Sequence, residues 1–269
     1  MAEFARTNAA IVLESGKEYL VESRLSPIAR QQGHESLDAF VEHLRSGRAP
    51  ADLRQIVLDA LTTNETSFFR DFHPFETLKK EILPRIVQER AAMRKLTVWS
   101  AASSTGQEAY TIAMVIREHF PQLRDWTVNI IGTDLSSAVL KQAQDGRYSQ
   151  LEVNRGLPAP LLIKYFAKDG DRWKVKDDLR KMVDFRPMNL VQPWPVLPPF
   201  DVIFIRNVMI YFDVETKKGI LRKMRACMMP HSVLFLGTAE TTVNLDVGFD
   251  QVSYGNTAVY RVGAAAKKP

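Results

Sequence analysis

Leu96-Thr97-Val98-Trp99-Ser100-Ala101-Ala102-Ser103-Ser104-Thr105-Gly106-Gln107-Glu108-Ala109-Tyr110-Thr111-Ile112-Ala113 opens as an apolar, β-branched run carrying a tryptophan, as a buried strand does. It breaks into small residues from Ser100 to Gly106, then resumes with Tyr110, Ala113, Met114 and Arg117 at helical spacing. Strand, small-residue turn and helix form the first half of a doubly wound α/β unit, in which ligands sit outside the carboxyl ends of the strands. Small side chains let a ligand approach the backbone, and a helix start offers free N–H groups. An ordinary βα turn has the same local appearance. The stretch lacks G-x-G-x-x-G, so the dinucleotide fingerprint is not met.

The flanking chain fits that reading. With 269 residues it has room for one large core or two modest domains, and 45% hydrophobic with 25% charged residues is ordinary for a globular protein. The single cysteine, Cys227, excludes an intrachain disulfide and suits a reducing compartment. The longest apolar runs are strand-sized, and the first residues lack a basic region followed by an apolar core. Neither a membrane span nor secretion is expected, and a cytoplasmic location follows. A net charge of +5 is compatible with nucleic acid, an anionic membrane face, an acidic protein surface or a plain solvated lysine excess.

Residues 3–93 read as helices, beginning with Ala10, Ile11, Leu13, Tyr19, Leu20, Leu25, Ile28 and Ala29 at helical spacing. Ser36 caps a helix carrying Leu37, Phe40, Val41 and Leu44, which Gly47 and Pro50 close. Another amphipathic set follows at Leu53–Leu61, and Pro74 precedes a longer helix with Pro84 inside it. A polar linker, Gln88–Lys95, leads into the sheet. Trp126–Thr133 is a second strand ending in Asp134, with Ser136 or Ser137 as the next cap. An acidic residue there is where nucleotide-binding α/β folds grip a ribose diol, although an N-capping Asp looks the same. The alternating segments 172–176 and 182–186 suggest a small antiparallel insert. Pro199–Arg206 is a central strand, and Asp213 caps a helix over Val214–Met229 with a basic face at Lys217, Lys218, Arg222, Lys223 and Arg225. Ser232–Gly237 and a hairpin around Gly255-Asn256 supply the last strands, and 264–269 is expected to be a disordered tail.

Three blocks carry a family resemblance: Thr62-Thr63-Asn64-Glu65-Thr66-Ser67-Phe68-Phe69-Arg70, Val98–Tyr110, and Asp201-Val202-Ile203-Phe204-Ile205-Arg206-Asn207-Val208-Met209-Ile210-Tyr211-Phe212. In this order they resemble the hallmark stretches of the CheR chemotaxis-receptor methyltransferases, over roughly residues 10–262. The resemblance implies a helical N-terminal domain (1–90, receptor recognition) and a Rossmann-like, class I S-adenosylmethionine-dependent methyltransferase domain (91–263). It also implies a small antiparallel β insert at about 164–186. The implied reaction methylates glutamate side chains on the cytoplasmic helical bundle of transmembrane chemoreceptors, giving glutamate methyl esters and S-adenosylhomocysteine in chemotactic adaptation.

By the same resemblance, Asn64, Thr66 and Arg70 stand at the lip of the cofactor pocket, with Arg70 orienting the acceptor carboxylate and Tyr211 beside the reacting methyl. Glu108 would pair with the cofactor's α-amino group, Asp134 with the ribose hydroxyls, and Asn189 and Leu190 with the adenine edge. Asn207 and Val208 would line the pocket at the end of the fourth strand. No metal is implied, and the five histidines are scattered without ligand spacing. The 166–173 stretch is short compared with family members that dock on a receptor's C-terminal pentapeptide, so a pentapeptide-independent type is expected. A monomer is expected, with no nucleic acid partner and no membrane insertion. The rival reading keeps the fold and cofactor but changes the acceptor to RNA or a small molecule. RNA lacks support because the sequence shows no basic, aromatic stacking platform.

Overall fold

The computed structural model describes residues 1–9, 16, 18–245 and 247–263. The expectations at Ala10, Ile11 and Leu13, and that of a disordered 264–269 tail, lie outside these residues.

The chain opens with α1 (Ala2–Ala9), α2 (Glu18–Gln31), α3 (Leu37–Arg45) and α4 (Ala51–Leu61). Their apolar stripes close on one another in a small core of Ala5, Leu25, Ala29, Phe40, Leu44, Leu53, Val57 and Leu61. The Ser36 hydroxyl accepts the Ala39 N–H at 3.1 Å, satisfying one donor that the start of α3 would leave open. The next helix runs as α5 (His73–Thr77), a π-type stretch (Leu78–Ile82) and α6 (Leu83–Glu89). Pro84 explains the interruption. It has no N–H to give and its ring crowds the preceding turn, so the helix widens and the Leu83 N–H reaches back five residues to the Leu78 carbonyl.

Then follow β1 (Lys95–Ala101), α7 (Gln107–His119), β2 (Thr127–Asp134), α8 (Ser137–Asp145), β3 (Arg147–Tyr148), α9 (Gln150–Asn154), α10 (Ala159–Tyr165), β4 (Phe166–Asp169), β5 (Arg172–Val175), α11 (Asp177–Arg180) and β6 (Val183–Pro187). The chain ends with β7 (Phe200–Ile205), α12 (Val214–Ala226), β8 (Met228–Leu236), β9 (Phe249–Tyr254) and β10 (Thr257–Val262). The large sheet has the order β6-β2-β1-β7-β8-β10-β9. The strands from β6 to β8 pair in parallel and the last hairpin antiparallel. Strand order reverses between β1 and β7, because the chain first builds outward through β2 and β6 and then returns to the other side of β1. That crevice is where ligands bind in open α/β sheets.

The central strands read as continuous apolar runs because both faces are covered. Val98, Val202, Phe204, Val233 and Phe235 face a core shared with α7 and the 73–89 helix. Trp99, Ile203, Ile205, Leu234 and Leu236 face another shared with α12. Trp99 is fully buried, and its indole N–H finds the Thr133 hydroxyl at 2.9 Å. Each such large side chain contributes about 1.5–3 kcal/mol on burial. Among the described residues no helix is long and apolar enough to cross a membrane.

Three expectations are corrected. The 182–186 segment does not belong to an antiparallel insert: Val183–Pro187 is the parallel edge strand of the large sheet, paired with β2. An edge strand has one covered and one wet face, so its alternation imitates an insert hairpin. The small sheet is β3-β5-β4 instead. The helix expected to reach Met229 ends at Ala226, because the Cys227 carbonyl accepts the Phe200 N–H at 2.9 Å and the chain joins the sheet. Two basic residues, Arg90 of the expected linker and Lys223 of the expected basic face, are tied inward. Arg90 pairs with buried Asp201 at 3.1 Å, and Lys223 donates to the Leu190 and Gln192 carbonyls over the Trp194 ring.

Candidate functional site

A cleft opens at the reversal point. The β1–α7 turn supplies Ala102, Ser103 and Ser104, the start of α7 supplies Glu108, and the end of β2 supplies Asp134 and Leu135. Met188, Asn189 and Leu190 follow β6, and Arg206 to Val208, Tyr211 and Phe212 follow β7. The helical unit closes the cleft with Ala9, Leu20, Val21, Arg24 and the stretch Leu61–Thr66, and Arg70 stands beyond it. All ten residues read from the sequence as site residues therefore line one cleft: Asn64, Thr66, Arg70, Glu108, Asp134, Asn189, Leu190, Asn207, Val208 and Tyr211.

The β1–α7 turn takes a left-handed path at Ala102, Ser104 and Gly106, with φ of 56°, 50° and 93°. Gly106 has no room for a side chain, since a Cβ there would sit 2.9 Å from both Ala143 Cβ and the Phe185 ring. Asp134 pins this turn to the next: its carboxylate accepts the N–H of Ser104 at 2.8 Å and of Ser136 at 3.0 Å. The α8 cap is Ser136, whose hydroxyl accepts from Val139. Asp134 is therefore not the N-cap of that helix. Burial pushes its carboxyl above the usual carboxylate range, against the downward pull of the Ser136 and Ser104 N–H groups.

Glu108 accepts from the Ser100 hydroxyl at 2.8 Å and pairs with Arg206 at 3.0 Å. Arg70 donates to the Glu65 carbonyl at 2.8 Å and stays partly exposed at the lip. Glu65 is itself held below the usual carboxylate range by its hydrogen bond to Arg155 at 2.6 Å. The Ser104 hydroxyl donates to the Asn64 carbonyl at 2.7 Å, which fastens the 62–70 stretch to the sheet. Tyr211 sits half-buried in a 3-10 turn, Met209–Tyr211. The Asn189 amide is engaged at both ends, donating to the Asn8 carbonyl at 2.7 Å and accepting from Val191 at 3.1 Å.

The sequence over residues 64–257 matches the family model described as CheR methyltransferase, SAM binding domain, and residues 1–62 match the CheR methyltransferase, all-alpha domain. The chain belongs to the CheR methyltransferases. It is 41% identical over 263 residues to chemotaxis protein methyltransferase 1 of Pseudomonas aeruginosa, covering 96% of this chain and 94% of that one. It is 39% identical over 263 residues to chemotaxis protein methyltransferase 1 of Vibrio cholerae, again covering 96% and 94%. Among solved structures, magnesium protoporphyrin IX methyltransferase from Synechocystis is similar at a TM-score of 0.37 and 12% identity, over 81% of this chain and 93% of that one.

As a CheR methyltransferase the chain is an S-adenosylmethionine-dependent enzyme of chemotaxis, with a Rossmann-like class I fold behind an all-α unit. The cleft fits that cofactor's chemistry. Two carboxylates, Glu108 and buried Asp134, suit an ammonium group and a diol, and Leu20, Val21, Met188 and Leu190 suit a planar ring.

Sequence reasoning left several residues of the cleft without a role. Arg206, placed directly after a continuous apolar strand, was legible as a charge at the crevice. Arg24 gave no signal from the sequence, and it donates to the Leu61 and Thr62 carbonyls. Nor did Glu240, which is not itself part of the lining but whose carboxylate accepts the N–H groups of Asn207, Val208, Met209 and Gly237 at 2.8, 2.9, 2.7 and 2.6 Å.

Proposed function

We propose that this enzyme methylates glutamate side chains on the cytoplasmic helical bundle of transmembrane chemoreceptors. The observation that carries the reading is the convergence of Arg70 and Tyr211 with Glu108 and Asp134 around one cleft. The cofactor, when bound, supplies an electrophilic methyl group on a sulfonium. Glu108 would take its amino end, Asp134 the ribose, and Asn189 with Leu190 the adenine end, while Asn64, Thr66, Asn207 and Val208 would line the middle.

The acceptor glutamate is already ionised at neutral pH, so the chain needs no general base. Its task is alignment, which can supply roughly 7–11 kcal/mol of barrier reduction. Arg70 carries a guanidinium whose fork matches a carboxylate, and it orients the acceptor. Strong pairing would also quiet the nucleophile, so its role is positioning. Tyr211 lines the same cleft and would stand beside the reacting methyl, and the apolar residues of the lining help to exclude water.

The all-α unit (1–90) would recognise the receptor, with the methyltransferase unit (91–263) working as a monomer in the cytoplasm. Nucleic acid binding and membrane insertion have no part in this reading. Pentapeptide tethering is absent from it, since β4 and β5 are joined by the two residues Gly170 and Asp171 alone. Incubation with methyl-labelled cofactor and chemoreceptor-bearing membranes tests the proposal. Base-labile label on receptor glutamates is expected, whereas stable label in RNA or a small molecule would overturn it.

A further inference from the structure

Arg206 stands at the end of β7 with its side chain 2% exposed. One Nη donates to Glu108 at 3.0 Å, and the other donates to the Arg70 carbonyl at 3.0 Å and the Asp71 carboxylate at 2.6 Å. The guanidinium carbon lies 5.6 Å from the centre of the Phe75 ring, and the buried Nε has no partner. One cation therefore bridges the two walls of the cleft, with Glu108 on the cofactor side and residues 70–71 on the acceptor side.

The segment it holds is strained. Phe69, Asp71 and Phe72 have φ of 49°, 64° and 47°, a left-handed path for three side-chain-bearing residues in four. Such backbone persists only where surrounding contacts over-determine it. Among the contacts that fix it are the Thr111 hydroxyl accepting from Phe69 N–H at 3.2 Å, the Phe69–Phe72 turn, the Thr238 hydroxyl donating to the Asp71 carboxylate at 3.5 Å, and the two bonds from Arg206. Arg70 projects from the middle of this turn, so its direction depends on how the turn is fixed.

We propose that Arg206 is a positioning residue that sets Arg70 toward the acceptor carboxylate by fastening the 69–72 turn to Glu108. The inference rests on the function proposed above. A guanidinium is required because its planar fork reaches both walls at once, and a lysine reaches one. Asp71 serves as the far anchor of the same link.

Arg206→Lys, Asp71→Asn and the double variant test this with three readouts: hydrogen exchange of the 69–73 amides without cofactor, calorimetric affinity for S-adenosylhomocysteine, and kcat on chemoreceptor-bearing membranes. Each single variant should exchange faster at 69–73 and lose at least tenfold in kcat, while in Asp71→Asn, whose side chain does not line the cleft, product affinity stays within about threefold. The double variant should be no worse than the poorer single, because both cut one link. Wild-type exchange and kcat in Asp71→Asn would overturn the proposal. So would product affinity falling in step with kcat in Asp71→Asn, or losses that multiply. Asp71 is half-exposed, so Asp71→Asn carries the test if Arg206→Lys does not fold. A wild-type enzyme that methylates no receptor would overturn the acceptor assignment instead, and the exchange data would still judge the link.

Discussion

Replacing Glu240 by Gln should loosen the cofactor cleft without unfolding the protein. Each carboxylate oxygen of Glu240 serves two backbone donors: one takes Val208 and Met209, the other takes Asn207 and Gly237. A glutamine keeps one oxygen and turns an NH2 toward the other pair, so two charge-assisted bonds become donor-against-donor contacts. Bonds to a charged group are worth about 1.5–3 kcal/mol each, giving an upper limit of about 3–6 kcal/mol. Glu240 is only partly buried, so water re-solvates part of the loss and about 2 kcal/mol is the expected effect. Asn207 and Val208 line the cleft, so the loss should appear in cofactor affinity as roughly a 30-fold weakening. Calorimetry with S-adenosylhomocysteine reads it, and a thermal melt separates it from global unfolding. Wild-type affinity would show that this carboxylate does not shape the binding wall.

Arg70→Ala should slow methyl transfer at least about tenfold, or ~1.4 kcal/mol, with an unchanged far-UV spectrum; an unaltered rate would remove Arg70 from the reaction. Asp134→Ala should weaken cofactor binding tenfold or more in calorimetry, since the residue both faces the cleft and pins two of its turns. Because burial favours the protonated form, the Asp134 carboxyl should titrate above its ordinary 3.8 in a carbon-detected NMR titration of the free enzyme. Its contribution to stability is then greatest below 3.8 and is lost as pH rises through the raised value, and a midpoint at or below 3.8 would refute this. Gly132→Ala places a Cβ 2.5 Å from the Phe185 ring and should cost about 1–3 kcal/mol in denaturant unfolding.

Much of this architecture was legible because periodicity and sheet topology speak the same language. Val98 and Trp99 alternate between two cores, and the turn after Ala101 announces its use by its small residues. The edge strand Val183–Pro187 was misread because alternation reports a half-wet face, not the direction of the partner strand. Seven of the ten cleft-lining residues named from the sequence fall inside the three family blocks, Asp134, Asn189 and Leu190 lie outside them, and the hydrogen bonds that join them to the rest of the fold left no such trace. Glu240 speaks only to backbone N–H groups, which leave no trace in side-chain identity. Asn189 is held by the carbonyl of Asn8, a partner 181 positions away that no spacing rule connects.

The stretch from Thr62 to Arg70 is at once part of the joint between the helical unit and the rest of the fold and a wall of the cleft. Evolution and engineering alike are bound by that double duty. A hybrid that takes its helices from one relative and its sheet from another would have to inherit the connecting strand of residues together with the sheet it seals, as a door is hung with its own frame. The two units can diversify separately only on the surfaces that lie away from this seam.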